Sequence, residues 1–337
     1  MPNNRAALMQ AVLAADRLHK QFDTKTHTQS GDGRIDIFSM FVDLDIPMLF
    51  RPLNGLLGAY LADPSPGVMV TTQRQLPIQR FTAGHELGHA VMKHLPSLDD
   101  EEAIFRMAVA GNSTLDIQEM QANAFASQLL MPRWLIAEHM TRQQWTPETI
   151  GTPETVYQLS LRLGTSYAAT SYALFQNKVI SRADYNRIVA VKPKAIKQPL
   201  VEPYVPANWK GDIWLITERD DKLFIEGSRS DLVLFSFAEH AGSGYIWRLD
   251  DLAEAGLIIV QDRRSSEGDD DLIGGIVSRK VVAESQEGAK GTVHLREVRP
   301  WQVAGKALQS VDLDLDLNGP VKPGLLPAQR EAALGAT

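Results

Sequence analysis

Two histidines four residues apart, His85 and His89, enclose Glu86 in the run FTAGHELGHAVMKH. On a helix, positions i and i+4 project from one face, so both imidazoles can grip a single metal ion. The chain contains no cysteine, which leaves histidine and carboxylate as the only strong metal donors, and the H-E-x-x-H pattern itself makes Zn2+ the expected ion. A carboxylate directly after the first histidine is placed to take a proton from a water that attacks a carbonyl beside the metal. The chemistry expected is zinc-assisted hydrolysis, with His85 and His89 as ligands and Glu86 as catalytic base.

Two ligands do not complete a site, and the third is open at the level of spacing. His94 follows His89 by five residues, but the arrangement H-E-x-x-H-x-x-G-x-x-H needs glycine at 92 and histidine at 95, where this chain has Met92 and Leu95. His94 therefore reads as a surface or helix-end residue. A carboxylate from a second helix is the alternative. Glu119 opens the run EMQANAFASQLLMP, whose Ala122, Phe125, Ala126, Leu129 and Leu130 form an apolar face. On its own, Glu119 reads equally as a solvated acid at a helix start, where the helix dipole favours negative charge.

The elements that must hold these residues are helical in the front half. Apolar residues recur at helical spacing in 6–18, 35–44, 81–92, 117–130 and 156–163. The run GAYLADPSPGVMVTTQ, just before the histidines, predicts two short strands around a turn, able to wall a substrate cleft. Proline-dense VKPKAIKQPLVEPYVPANWKGD disfavours helix and predicts a linker. Beyond it the period becomes two, as in DLVLFSF and VDLDLDL, where Val311, Leu313, Leu315 and Leu317 share one face. The fold class expected is multidomain α+β, a mainly helical zincin-like peptidase domain followed by an all-β immunoglobulin-like sandwich. The boundaries expected are an N-terminal helix and polar linker over 1–34, the metal domain over 35–190, the linker over 191–211, the β-sandwich over 212–320 and a tail over 321–337.

Charge narrows the partners. From residue 200 onward there are 15 Lys and Arg against 23 Asp and Glu, while the front half is near neutral, which argues against a chain-wide nucleic-acid surface. The first twenty residues are interrupted by Arg5, Asp16, Arg17 and Lys20, so neither a signal peptide nor a membrane span is expected there. With no cysteine for disulfides, a cytoplasmic setting is expected.

The two runs RFTAGHELGHAVMKH and QEMQANAFASQLLMP together resemble the ImmA/IrrE family of bacterial and phage metallopeptidases, whose second motif reads E-x-x-A-N-x-F-A-x-x-L-L-M-P. Glu119, Ala122, Asn123, Phe125, Ala126 and LLMP match, and Gln121 departs where many relatives carry a second acid. The resemblance implies that Glu119 is the third zinc ligand. It also implies an endopeptidase that cleaves a specific regulatory protein, such as a helix-turn-helix repressor of stress or defence genes, and a small helix-turn-helix-like unit over 156–188. A nucleic-acid activator is a further partner that this unit would allow. In the back half, Gly244, Tyr245 and Trp247 resemble the end of the first loop and Arg299, Pro300 and Trp301 the last loop of chagasin-type protease inhibitors, with the glycine pair Gly274 and Gly275 between them where the middle loop matches poorly, and with Ala241, Gly242 and Ser243 standing where that family has Asn-Pro-Thr-Thr. That likeness implies an immunoglobulin-like fold. It leaves open a second expectation, a protein-binding or protease-inhibitor module carrying a silent zinc fold. The three aromatics, Tyr245, Trp247 and Trp301, read either as core or as docking residues.

Overall fold

A computed structural model describes residues 2–30, 33–62, 66–95, 98–100, 117–266, 276–285, 287–302 and 305–335. They group into two compact units, one of Met1–Glu138, Leu159–Val189 and Pro320–Thr337, the other of His139–Gln158 and Ala190–Gly319.

The first unit is helical with one sheet, as the spacing of its apolar residues predicts. In chain order it has α1 (Pro2–Gln21), α2 (Thr24–Ser30), α3 (Ile37–Asp43), β1 (Met48–Arg51), β2 (Leu56–Leu61), β3 (Gly67–Thr71), α4 (Leu76–Met92), β4 (Leu98–Asp100) and α5 (Ile117–Leu130). The following helices are α6 (Arg133–Gln143), α7 (Pro153–Leu163), α8 (Tyr167–Gln176) and α9 (Arg182–Ala190), with α6 and α7 each divided between the units. Local chemistry fixes several starts. Asp36 caps α3 by accepting from Phe38 N and Ser39 N, both at 3.2 Å, Ser166 caps α8 by accepting from Ala169 N, and a proline sits in the first turn of α4. The polar stretch expected to separate the first two helices is itself partly helical, forming α2.

β1 and β3 pair in parallel and β2 pairs antiparallel to β3, confirming the strand pair read before the histidines. The sheet order is β13-β1-β3-β2-β4, where β13 (Gly324–Leu325) comes from the chain's end. The tail over 321–337, which carries no sequence pattern, is thus part of this unit: Leu325 pairs with Leu49, and Gln329 accepts from Met48 N and donates to Ile46 O at 2.8 Å. A two-residue strand is made by its distant partner and leaves no periodicity of its own.

The second unit holds the β half. After α10 (Pro193–Val201) it runs β5 (Ile213–Ile216), β6 (Leu223–Glu226), β7 (Leu232–Glu239), β8 (Ile246–Arg248), α11 (Asp251–Glu254), β9 (Leu257–Ser266), β10 (Val277–Ser285), β11 (Lys290–Val298) and β12 (Gln309–Asp316). α12 (Pro327–Gly335) closes the chain in the first unit. Two four-stranded sheets form, ordered β5-β7-β10-β9 and β6-β12-β11-β8. Phe237 of one stacks on Trp247 of the other with ring centroids 4.3 Å apart, so a buried aromatic pair joins them. On β12, Val311, Leu313 and Leu315 are buried, as the alternation predicts. The segment expected as a linker over 191–211 instead contains α10. Pro193 stands in its first turn, where the missing N–H costs nothing, and the buried Lys197 ties the helix down through Gly211 O at 2.8 Å and Asp212 at 2.9 Å. A long-range anchor therefore overrides the local disfavour of proline.

Candidate metal centre

α4 carries the two histidines on a helix buried along most of its length, with His85, Glu86 and His89 all fully buried. What lies against it is α5, and small residues set their spacing. Gly84 faces Ala126, where an added β-carbon would make an ordinary contact at 3.4 Å. Gly88 faces Ala122 and Phe125 more tightly, with an added β-carbon only 3.1 Å from Phe125 Cδ1 and 3.2 Å from Ala122 Cα. Two glycines four apart, against two alanines four apart, let the helix backbones approach closely. Glu119, one turn before Ala122, is thereby carried to the histidines.

The resulting geometry is compact. Glu119 Oε2 lies 3.2 Å from His85 Nε2, Glu119 Oε1 lies 3.5 Å from His89 Nε2, and the two Nε2 atoms are 3.0 Å apart. Zinc bonds of roughly 2.0–2.1 Å in a tetrahedron put ligand atoms roughly 3.3 Å apart, so this donor set fits the ion by both type and spacing. Among the described residues, His85, His89 and Glu119 form the one such group, their donor atoms within 4.8 Å of one another. Burial pushes the Glu119 carboxyl up, but the His85 and His89 rings outweigh this and hold it well below the usual carboxylate range.

The far sides of both imidazoles are also held. His85 Nδ1 meets Asn123 Oδ1 at 3.1 Å; an N–H there leaves the Nε2 lone pair facing Glu119. His89 Nδ1 meets His94 Nδ1 at 3.1 Å. Lys93, in the left-handed conformation at φ 55°, ends α4 and turns the chain so that His94 N donates to His89 O. His94 is thus a helix-end residue, as its spacing predicts. It is half-buried and reaches the far nitrogen of His89 only by way of that turn, a role spacing did not show. Asn123 belongs to the quoted motif, yet its contact with His85 emerges only from the helix pairing.

Glu86 points elsewhere, against the sheet. A β-carbon on Gly58 of β2 would collide with the Glu86 carboxylate and come within 2.6 Å of Thr82 Cγ2. Glycine at 58 therefore makes room for the base, a dependence that no local sequence signal reveals. Gln121 faces away from the cluster, donating to Ala7 O and Gln10 Oε1 of α1, so a neutral amide suits that position. In the helical unit, Phe175 stacks on Tyr185 and Arg182 lies over Phe175 at 4.6 Å, packing these aromatics within the helices.

In the second unit the three aromatics divide. Trp247 is core, whereas Trp301 is 67% exposed and lies across Gly244, beside Arg299 stacked 4.5 Å over Tyr245. Gly274 and Gly275 fall outside the described residues. No described helix is long and apolar enough to cross a membrane.

Residues 43–175 match the family model described as IrrE N-terminal-like domain, a peptidase family. The radiation response metalloprotease IrrE of Deinococcus radiodurans is 30% identical over 132 residues, which cover 38% of this chain and 36% of that protein. The match thus spans about a third of that relative's length. Among solved structures, the cysteine protease inhibitor EhICP2 of Entamoeba histolytica aligns over 33% of this chain and all of its own, at 20% identity and TM-score 0.28. Amebosin aligns over 31% of this chain and 97% of its own, at 15% identity and TM-score 0.24.

Proposed function

We propose that this protein is a zinc endopeptidase in which His85, His89 and Glu119 hold the ion and Glu86 is the base, a reading supported by the match of residues 43–175 to the IrrE N-terminal-like domain model. The observation that carries the reading is the meeting of three donors from two helices at 3.0–3.5 Å, with the far sides of the two imidazoles braced by Asn123 and His94. Bound zinc would supply a Lewis acid that polarises the scissile carbonyl and lowers the pKa of water. The protein's own residues do the rest. Glu86 accepts the proton of the attacking water and returns it to the leaving amine, and its burial against β2 shields that transfer from bulk solvent. Asn123 and His94 keep the imidazoles turned toward the ion.

The substrate we propose is a specific regulatory protein inside the cell, such as a helix-turn-helix repressor in a stress or defence response. Resemblance to a radiation response metalloprotease supports this class. The second unit suits protein docking through the exposed Trp301 and the Arg299–Tyr245 stack. The test compares wild type and Glu86→Gln for bound zinc and for cleavage of helix-turn-helix proteins from the same genome, beginning with any that is encoded beside this gene. Zinc in both, with cleavage by wild type alone, is expected. A protein that binds no zinc in either form refutes the metal site, and equal cleavage by both refutes the role of Glu86.

A further inference from the structure

The metal helix α4 meets its sheet at two places. Near the middle of the helix, Thr82 and Glu86 lie against Gly58 of β2. Two turns before Glu86 on the same face stands Gln79, fully buried, whose side-chain amide donates to Thr71 O at the end of β3 at 2.9 Å and accepts from Val321 N at 3.1 Å. Val321 belongs to the returning end of the chain, far beyond residue 175, where the family match stops. One buried amide thus joins the metal helix, the sheet and the tail. A second glutamine fastens the other end of that tail: Gln329 of α12 accepts from Met48 N at 3.1 Å and donates to Ile46 O at 2.8 Å. Between the two glutamines β13 pairs with β1, Leu325 opposite Leu49 and Gly324 opposite Phe50. Of residues 320–334 only Leu326 is buried, so the tail is held chiefly by these hydrogen bonds.

We propose that the segment over 320–335 is a strap that, through Gln79, sets the position of the metal helix on its sheet, and that Gln79 and Gln329 are positioning residues for Glu86. The role assigned to them rests on the metallopeptidase reading above. A buried amide whose partner leaves is stranded, so when the tail lifts Gln79 either stays unpaired or turns away and releases Thr71 O as well. Both outcomes loosen the tie between α4 and β3. The base tolerates little of this. A slip of α4 by a single residue's rise is about 1.5 Å, and a misplacement of about 1 Å at a catalytic group costs about 100-fold in rate. The slot at Gly58 fits the Glu86 carboxylate closely, so it receives the base only while the helix keeps its place along the sheet. The peptidase unit is therefore completed by residues that lie outside the segment carrying its motifs.

Gln79→Leu strands Thr71 O in the core and can unfold the unit, so the test loosens the strap at its far end, where Gln329→Ala touches neither α4 nor a metal donor. Because the chain has no cysteine, Leu49→Cys with Leu325→Cys, a directly opposed and half-buried pair, fastens the strap again when oxidised and frees it when reduced. Amide hydrogen exchange is followed in the full, metal-free chain across 76–86 of α4 and across α5. In Gln329→Ala, exchange over 76–86 is expected to rise at least about tenfold with α5 unchanged, and the oxidised lock is expected to return it to the wild-type rate. A rise shared equally by α5 is general loosening and overturns the proposal, as does an unchanged rate over 76–86 or a lock that restores nothing. The same variants, loaded with zinc, are compared for cleavage of the helix-turn-helix substrate: kcat is expected to fall at least about tenfold at unchanged KM and to recover on oxidation. An unaltered kcat beside raised exchange overturns the positioning role. Wild type that cleaves nothing refutes the peptidase reading, and the hold of the strap on α4 is then decided by the exchange rates alone.

Discussion

Gly88→Val drives a wedge into the α4–α5 seam, and its effect can be worked from the contacts. A β-carbon at 88 already sits 3.1–3.3 Å from Phe125 and Ala122, where carbon atoms prefer 3.5–4.0 Å. Alanine therefore asks the helices to part by a few tenths of an ångström, and the two further methyls of valine ask for considerably more. Overpacking of this kind costs about 1–3 kcal/mol. It also moves Glu119 relative to His85 and His89, and metal sites tolerate only about 0.2 Å of error in ligand distance. We expect Gly88→Val to lower zinc affinity at least about tenfold and to lower the melting temperature, with Gly88→Ala intermediate. Gly84→Ala is the contrast: its nearest neighbour is Ala126 Cβ at 3.4 Å, so removing a helical glycine should leave zinc affinity unchanged and add up to about 1 kcal/mol of stability. Competition with a chelating zinc dye, with thermal unfolding of apo and loaded protein, measures both. Should Gly88→Val lose stability yet bind zinc like wild type, the claim that this seam sets the metal geometry is wrong.

Asn123→Ala removes the partner of His85 Nδ1 and should weaken zinc binding about 10- to 100-fold while leaving the fold intact; isothermal titration in a chelator buffer decides it. Gly58→Ala displaces the base without touching a ligand, so cleavage should fall about 100-fold at unchanged zinc content, and loss of zinc instead would place the fault elsewhere. In the second unit, burial and then the Asp212 charge push the Asp231 carboxyl up to about 6, from 3.8. The folded state then binds more protons than the unfolded one between those values. Its contribution is full below the unfolded pKa and is lost as pH rises through about 6, by about 3 kcal/mol in all. Denaturant unfolding of wild type and Asp212→Asn from pH 4 to 7 should show a smaller decline in the variant, and parallel curves would refute the coupling.

Periodicity carries much of the fold. The apolar spacing of 117–130 coincides with α5, and the alternation in VDLDLDL puts Val311, Leu313 and Leu315 in the core of the second unit. Both readings depend only on which face of a local element must leave water, which neighbouring residues encode. Elements made by distant partners were not legible. α10 forms inside a proline-rich run because Lys197 is anchored to Gly211 and Asp212, and β13 exists because β1 offers an edge. Trp247 and Trp301 look alike as residues, yet one is stacked on Phe237 and the other stands in solvent.

The candidate site divides in the same way. That His85, Glu86 and His89 share a helical turn is legible in the chain alone, because helix geometry is local, and so is the restriction of any metal they hold to nitrogen and oxygen donors, because there is no cysteine. The approach of Glu119 to the histidines, their bracing by Asn123 and His94, and the packing of Glu86 against Gly58 come from the folded arrangement. Those contacts join segments far apart in the chain, and they exist only where small side chains let two helices and a strand pack within reach of one another.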